Sequence, residues 1–205
     1  MNPPVMGALA VSYLIGSVPT AYLAVRQVKG IDVRTVGSGN VGATNANRVL
    51  GFKGGAVVFA LDLLKGLLAA RLIAPWLIPW AGVAGEFGCG VAAILGHNFP
   101  VFLKFRGGKG VATTIGVLAG TMPMVALVCG AIGAAVYAAS KFVSLGSITA
   151  AAALPVVQAL TGQPPKLITM GAGLAVMIVV QHRQNIRRLL DGTELRAGRQ
   201  KSAKV

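Results

Sequence analysis

A polar, glycine-rich stretch between two long apolar runs most constrains what this chain can form. Residues 37–48 read GSGNVGATNANR. Glycine accepts positive φ, so closely spaced glycines let successive N–H groups turn toward one point and bind an anion. Arg48 adds a planar cation suited to phosphate, and if residues 43–50 are helical, the helix N-terminus also points at the anion. The stretch therefore predicts a phosphate-binding loop at a membrane surface.

The same stretch also matches a dinucleotide-binding fingerprint. Gly37, Gly39 and Gly42 have the required spacing, and Asp62 follows at the usual distance. That fingerprint carries weight only when it joins a strand to a helix in a βαβ unit. Asp62 lies instead in an apolar run that predicts a membrane helix, so we reject the nicotinamide interpretation.

Composition places the chain among integral membrane proteins. Of its 205 residues, 55% are hydrophobic and only 12% are charged, about half the charged fraction of soluble domains. The formal net charge of +14 first reflects membrane topology and second an anionic substrate, rather than nucleic acid. Cys89 and Cys129 each lie in an apolar run, so we expect no disulfide framework. No metal-binding constellation is evident, and we expect no metal and no cofactor.

Apolar runs predict an all-α integral membrane protein with about seven transmembrane helices in a single domain, residues 1–205. The predicted helices are Val5–Val25, Gly54–Ala74, Ala81–Gly96, Val111–Thr121, Met124–Ser140, Ser144–Leu160 and Leu167–Gln181. Most of the 19 Lys and Arg residues follow the odd-numbered helices or lie in a basic tail, about residues 183–205, which includes Arg199, Lys201 and Lys204. Cytoplasmic loops collect such cations, so we expect a cytoplasmic C-terminus and an N-terminus outside.

A second polar segment falls on the same predicted face. Residues 97–110 read HNFPVFLKFRGGKG. A Walker A loop needs glycine four residues before Gly-Lys and Ser or Thr after it, but Leu103 and Gly110 occupy those places. The segment therefore favours a simpler phosphate group, held by backbone N–H groups and Lys109.

Four motifs together resemble the PlsY family of bacterial membrane acyltransferases. They are residues 37–48, Asp62-x-x-Lys65-Gly66, residues 96–113, and His182-Arg183-x-Asn185-Ile186-x-Arg188-Leu189. The resemblance implies a seven-helix inner-membrane enzyme of phospholipid biosynthesis, with its active site facing the cytoplasm. Such an enzyme transfers an acyl group from acyl phosphate to the sn-1 hydroxyl of glycerol 3-phosphate. Its products are lysophosphatidic acid and inorganic phosphate.

The resemblance also implies site residues. Those expected to bind glycerol 3-phosphate are Ser38, Arg48, Lys109, Ser147, His182 and Asn185. Those expected to line the acyl-phosphate side are Asn40, Thr44, Asn45, Gly107 and Gly108. Lys104 is a further substrate-binding candidate, with anionic lipid headgroups as its alternative ligand. The catalytic candidates are His182, Lys109 and Arg48, and the expected partners are the two substrates and membrane lipids. The oligomeric state is left open.

Several alternatives remain at this point. The proton of the attacking hydroxyl goes either to His182, since imidazole titrates near neutral pH, or to a phosphate oxygen of the donor, which we favour. Asp62 and Lys65 form either a structural ion pair or part of the site. His97 has either a structural role or contact with substrate. The competing functions are a transporter for a phosphorylated solute and a scaffold recruited through the basic tail.

Overall fold

The structure is a computed structural model that describes residues 2–197. The tail cations Arg199, Lys201 and Lys204 lie outside the described residues, as does the rest of the predicted tail beyond position 197. The helices are α1 (Pro3–Ser17), α2 (Thr20–Lys29), α3 (Ala43–Leu68), α4 (Ala74–Leu77), α5 (Gly82–Asn98), α6 (Val111–Thr121), α7 (Pro123–Ser140), α8 (Val143–Leu160), α9 (Pro165–Gln181) and α10 (Arg183–Leu190). The chain divides into two compact units, residues 1–123 and 124–205, which are described separately.

The all-α prediction is confirmed, since residues 2–197 contain helices and turns but no strand. Within that range, four helical segments are long and apolar enough to cross a membrane. They are Pro3–Lys29, Pro79–Leu103, Pro123–Ser140 and Val143–Leu160. The bent pair of α9 and α10 makes a fifth if it counts as one span. The predicted limits of Val111–Thr121 are confirmed, and those of α7, α8 and α9 agree within two residues.

In the first unit, α1 packs along α5 through small residues. A Cβ atom added to Gly16 would meet the backbone of Ala93, and one added to Gly96 would meet the carbonyl oxygen of Tyr13. The hydroxyl of Tyr13 also donates to the carbonyl oxygen of Phe99, 2.7 Å away. Close backbone approach at small residues is the usual way in which membrane helices associate. The same unit packs α3 against α6 and α2, and α5 against α6.

The predicted first helix, Val5–Val25, is two helices in the structure. α1 ends at Ser17 and α2 begins at Thr20, with Val18 and Pro19 between them. Proline cannot donate a backbone hydrogen bond and therefore breaks a helical ladder. The ammonium of Lys65 in α3 donates to the carbonyl oxygen of Val18 at 3.2 Å. A buried cation from a neighbouring helix thus satisfies a backbone group that the break leaves open.

The predicted second helix begins earlier than its hydropathy indicates. We expected it over Gly54–Ala74, but α3 begins at Ala43, within the glycine-rich stretch. Gly51, with φ 76° and ψ −178°, interrupts it and separates a short polar helix from the apolar one. The conditional expectation that residues 43–50 are helical is therefore confirmed. A π-helical turn, Ala69–Ile73, continues α3 at its other end.

In the second unit, small residues again mark the helix contacts. Gly133 of α7 lies against Gly146 of α8, and Gly171 of α9 lies against the side chain of Gln158 in α8. α10 follows α9 with a bend of 57° at His182. The sequence placed α10 in the basic tail, because its charged residues suppress any membrane signal.

Candidate active site

Asn45 organises the first polar loop, which we define as residues 33–42. Its side-chain oxygen accepts the N–H of Ser38 at 2.9 Å, and its nitrogen donates to the carbonyl oxygens of Val33 and Val36, both at 3.0 Å. The residue is fully buried at the start of α3. Asn45 was predicted to line the acyl-phosphate side, but here its amide is engaged in three hydrogen bonds that fold the loop onto the helix.

Four backbone N–H groups of the glycine-rich segments are also engaged within the protein. Ser38 N–H donates to the side chain of Asn45, and Gly39 N–H donates to the carbonyl oxygen of Val36 at 3.0 Å. In the second segment, Gly107 N–H donates to Asn98 O at 3.2 Å, and Gly108 N–H donates to His97 O at 3.0 Å. The predicted anion cradle therefore cannot be built mainly from these four groups. Side chains of the two segments and the N-termini of the helices that follow them can also donate to an anion.

The other predicted residues of the glycine-rich stretch, residues 37–48, lie around the N-terminus of α3. Gly37 has φ 61°, and a Cβ atom built on it would lie 3.8 Å from Cδ of Arg48, so the guanidinium stem runs beside the loop. The side chain of Asn40 lies next to Gly42, the N-cap residue, and Thr44 is exposed in the first turn. Arg48 and Asn40 are both half-buried.

The second polar loop, residues 99–110, joins α5 to α6. Lys104 and Phe105 both have positive φ, 52° and 61°, which is uncommon for residues other than glycine and marks a sharply folded turn. Lys104 is exposed. Gly110, with φ 79°, is the N-cap residue of α6, so the half-buried Lys109 directly precedes a helix N-terminus. A cation there strengthens the positive potential of the helix end.

The two polar loops meet at Gly108. A Cβ atom on this residue would collide with Nε2 of His97 and lie 2.6 Å from the carbonyl oxygen of Val41, which belongs to the first loop. Only glycine therefore fits between the imidazole and that carbonyl group. The contact brings the loop that precedes Arg48 against the loop that carries Lys109. It is the structural basis for treating the two segments as one candidate site.

Of the predicted residues of the second unit, His182 and Asn185 lie at the junction of α9 and α10, whereas Ser147 lies in α8. Nδ1 of His182 lies 2.8 Å from the carbonyl oxygen of Ile178, which can only accept a hydrogen bond. Nδ1 therefore carries the proton in the neutral ring, and Nε2 is the nitrogen that can accept one. The hydroxyl of Ser147 donates to the carbonyl oxygen of Val143 at 2.9 Å, within α8.

Asn185 belongs to a cluster around Glu194 that the sequence analysis missed. Oε1 of Glu194 accepts from Ser144 at 2.7 Å and from Asn185 at 2.6 Å, and Oε2 accepts from Arg188 at 2.7 Å. Burial opposes ionisation of this carboxyl group, but the three hydrogen bonds outweigh burial and lower the pKa of Glu194 below its ordinary value. The available signal was an acidic residue inside a strongly basic tail.

The segment after α10 returns to the start of α8. Ala197 N–H donates to the carbonyl oxygen of Lys141 at 2.9 Å, and the guanidinium of Arg196 lies 5.4 Å from the centre of the Phe142 ring. Glu194 is thus the central contact of a C-terminal clamp formed by residues 191–197. Across residues 2–197, no group of three His, Cys, Asp or Glu side chains has a geometry suited to a metal ion.

These features define a multi-pass membrane protein with a cationic, loop-built candidate site. Residues 6–192 match the model of the glycerol-3-phosphate acyltransferase family. A glycerol-3-phosphate acyltransferase from Thermoanaerobacter sp. (strain X514) is 45% identical over 194 residues, which cover 95% of this chain and 96% of the relative. Another, from Geobacter sulfurreducens, is 45% identical over 190 residues, which cover 91% of this chain and 94% of the relative.

Solved structures agree with this match. The crystal structure of PlsY, an integral membrane glycerol 3-phosphate acyltransferase, in its glycerol 3-phosphate form superposes with a TM-score of 0.87 at 40% identity, covering 95% of this chain and 96% of that one. Its lysophosphatidic acid form superposes with a TM-score of 0.83, covering 94% of each chain. The chain therefore belongs to the glycerol-3-phosphate acyltransferase, or PlsY, family, as its motifs predicted, and it is an acyltransferase.

Proposed function

We propose that this acyltransferase moves a fatty acyl group from acyl phosphate to the sn-1 hydroxyl of glycerol 3-phosphate. The hydroxyl oxygen forms the new ester bond to the acyl carbon, and the bond from that carbon to the phosphate oxygen breaks. The hydroxyl proton goes to the departing phosphate. The products are 1-acyl-glycerol 3-phosphate and inorganic phosphate, and neither metal nor cofactor takes part.

The observation that best supports this proposal is the contact between the two polar loops at Gly108. Both substrates carry a phosphate. Arg48 lies in the second turn of α3, directly after the first loop, and Lys109 directly precedes the N-cap residue of α6. Arg48 offers a planar, bidentate donor, while Lys109 offers a compact point charge. These two cations hold the phosphates and stabilise the charge that develops as the acyl–phosphate bond breaks.

The remaining site residues orient the substrates. As the resemblance to the family implies, we assign glycerol 3-phosphate to six residues: Ser38, Arg48, Lys109, Ser147, His182 and Asn185. The acyl-phosphate side is formed by Asn40, Thr44, Lys104, Gly107 and Gly108. Asn45 stabilises the first loop through its three hydrogen bonds. Holding both substrates in a reactive arrangement supplies much of the rate enhancement.

Proton transfer to the donor's own phosphate needs no protein base. The donor brings both a leaving group and a basic oxygen, so the protein contributes mainly orientation and electrostatic stabilisation. His182 is the competing base, and its Nδ1 lies 2.8 Å from the carbonyl oxygen of Ile178. Under the favoured mechanism, Nε2 orients the acceptor instead.

The proposed location is the bacterial inner membrane, with seven spans, the N-terminus outside and the site facing the cytoplasm. The cation asymmetry of the loops supports this orientation. It matches the chemistry, because glycerol 3-phosphate is soluble while the acyl chain of the donor partitions into the bilayer.

The test uses purified protein in lipid nanodiscs. Palmitoyl phosphate and glycerol 3-phosphate are mixed with EDTA present, and inorganic phosphate and lysophosphatidic acid are measured together. We expect equal release of both products, and a loss of at least 100-fold in kcat/KM in Arg48→Ala and Lys109→Ala, as for removal of one transition-state donor. Lys53→Ala and Lys29→Ala, which remove exposed cations outside the two loops, should retain activity.

The outcomes separate the competing functions. Folded wild-type protein that releases neither product contradicts the acyltransferase mechanism with this donor. Sensitivity to EDTA contradicts the metal-free mechanism. Uptake of glycerol 3-phosphate into protein-containing liposomes without any product would favour a transporter.

A further inference from the structure

A buried polar cluster lies in the first unit, outside the proposed phosphate contacts. Oδ1 of Asp62 lies 2.8 Å from Nζ of Lys65 and accepts from the hydroxyl of Thr20 at 2.5 Å. Nδ1 of His97 lies 3.4 Å from the same oxygen. Asp62, Lys65 and His97 are each less than 10% exposed. Ionisable groups at such depth in a membrane protein are costly and are usually retained for a function.

His97 connects this cluster to the second polar loop. Its carbonyl oxygen accepts the N–H of Gly108 at 3.0 Å, and its imidazole lies against the same glycine. His97 therefore contacts Gly108 through both its main chain and its side chain, and the carbonyl group of Val41 also lies against this glycine. Lys109 is the next residue in the chain, so its main chain follows directly from the position that His97 contacts.

We propose that His97 is a positioning residue for the acyl transfer, oriented by Asp62, which Lys65 and Thr20 hold in place. The chain of contacts runs from the break between α1 and α2, through α3, to the ring of His97 and the loop at Gly108. This inference rests on the proposed function, since it assigns Lys109 to a substrate phosphate. It assigns His97 no contact with substrate.

Another ion pair of the first unit, which is more exposed, provides the control. Nη1 of Arg71 lies 3.2 Å from Oε2 of Glu86. Glu86 lies near the opposite end of α5 from His97, and the side chain of Arg71 packs near Gly120 at the far end of α6. This pair also joins one cation to one carboxylate, and neither residue belongs to a polar loop.

The experiment compares two charge-neutral double variants. Asp62→Asn/Lys65→Gln keeps an oxygen that can accept from Nδ1 of His97, whereas Asp62→Leu/Lys65→Met does not. The control is Arg71→Gln/Glu86→Gln. For each protein in nanodiscs, the KM and kcat for glycerol 3-phosphate, the melting midpoint and the amide hydrogen exchange of residues 98–111 are measured.

We expect the Leu/Met variant to raise KM about 10- to 100-fold, the range typical of losing a residue that orients a metal-binding histidine. Exchange at Gly107 and Gly108 should rise with it. The Asn/Gln variant and the control should stay within a few-fold of wild type in both quantities. A merely structural pair would instead lower kcat in proportion to the folded fraction and leave KM unchanged.

A single variant covers the case in which a double variant fails to fold. His97→Leu changes no formal charge in the neutral ring, and it should reproduce the rise in KM and in exchange. Wild-type KM and exchange in either the folded Leu/Met variant or His97→Leu overturns the inference. If wild-type protein shows no acyl transfer at all while exchange still rises in the variants, the proposed function fails and the positioning contact stands.

Discussion

At the scale of single residues, buried side-chain amides and carboxylates hold the loops of this protein. Asn45 satisfies one N–H group and two carbonyl groups of the first polar loop. Glu194 gathers a hydroxyl, an amide and a guanidinium from two helices. Both residues look like substrate or surface residues in the sequence. Their contacts instead join the first polar loop to α3 in one unit, and the C-terminal clamp to α8 and α10 in the other.

The first prediction concerns Asn45. Asn45→Ala should lower the free energy of unfolding by about 2–4 kcal/mol, because it leaves buried loop groups without partners. Activity should fall as well, since the loop loses its attachment to α3. Thermal unfolding in detergent, monitored beside turnover, checks both effects. Asn47→Ala, an exposed position two residues further along α3, is the control and should change stability by less than about 0.5 kcal/mol.

The second prediction concerns the pH dependence of the C-terminal clamp. The folded pKa of Glu194 is lowered, so its contribution to stability is fully present above the ordinary glutamate pKa of about 4.3. That contribution is lost as the pH falls through the lower folded pKa. Amide exchange at Glu194 and Ala197, corrected for intrinsic rates, should therefore accelerate on acidification below about pH 4.3.

Two variants test this assignment. Glu194→Gln should show fast exchange of the clamp at every pH, because the neutral amide cannot accept from all three donors. Asp191→Asn should behave as wild type, since Asp191 makes only an exposed 3.8 Å contact with Arg187. An acid transition that persists in Glu194→Gln would assign it to another group.

At the scale of elements, glycines determine how closely helices and loops approach. Gly16 and Gly96 let α1 and α5 touch through their backbones, and Gly108 lets the two polar loops meet. In each case a single Cβ atom would fall on backbone or ring atoms rather than on a flexible side-chain end. These positions therefore control the spacing of whole elements.

The third prediction concerns Gly108. Gly108→Ala should lower kcat/KM at least 10-fold, because the added Cβ must displace His97 or Val41 and so separate the loops. Far-UV circular dichroism should remain that of a folded helical protein. Gly130→Ala is the matched control, since a Cβ at this position in α7 meets nothing within 4 Å. It should retain activity, and its helix should gain up to about 1 kcal/mol. Wild-type kinetics in Gly108→Ala would contradict the proposed contact.

At the scale of the whole molecule, charge distribution predicts the orientation in the bilayer. The fourth prediction tests it with single cysteines in a Cys89→Ala/Cys129→Ala background. In intact cells, a membrane-impermeant maleimide should label a cysteine at Trp76 or Gln163, in the turns predicted to lie outside. The reagent should not label a cysteine at Lys53 or Arg106 until the membrane is permeabilised. Labelling of Lys53→Cys in intact cells would contradict the predicted topology and place this loop outside.

Much of the fold could be predicted because its signals are local. Apolar runs bounded by proline, glycine or lysine placed α6, α7, α8 and α9 within two residues. The break before Thr20 and the start of α3 at Ala43 were missed, since hydropathy reports lipid exposure and not the hydrogen bonds that end a helix. α10 was missed for the same reason.

The candidate site was predicted by residue type but not by contact. Arg48 and Lys109 followed from glycine-rich spacing and charge. The role of Asn45 within its loop did not, because its partners Val33 and Val36 contribute backbone groups that any residue carries.

By itself, the sequence determined the class of this protein, an all-helical membrane acyltransferase. Hydropathy, charge and motif spacing act along the chain, and each can be interpreted from neighbouring residues. Only the tertiary structure decided that Gly108 lies between His97 and Val41, that Asp62 lies 3.4 Å from His97, and that Glu194 accepts a hydrogen bond from Ser144. These contacts join residues far apart in sequence, and they depend on how closely packed helices approach one another.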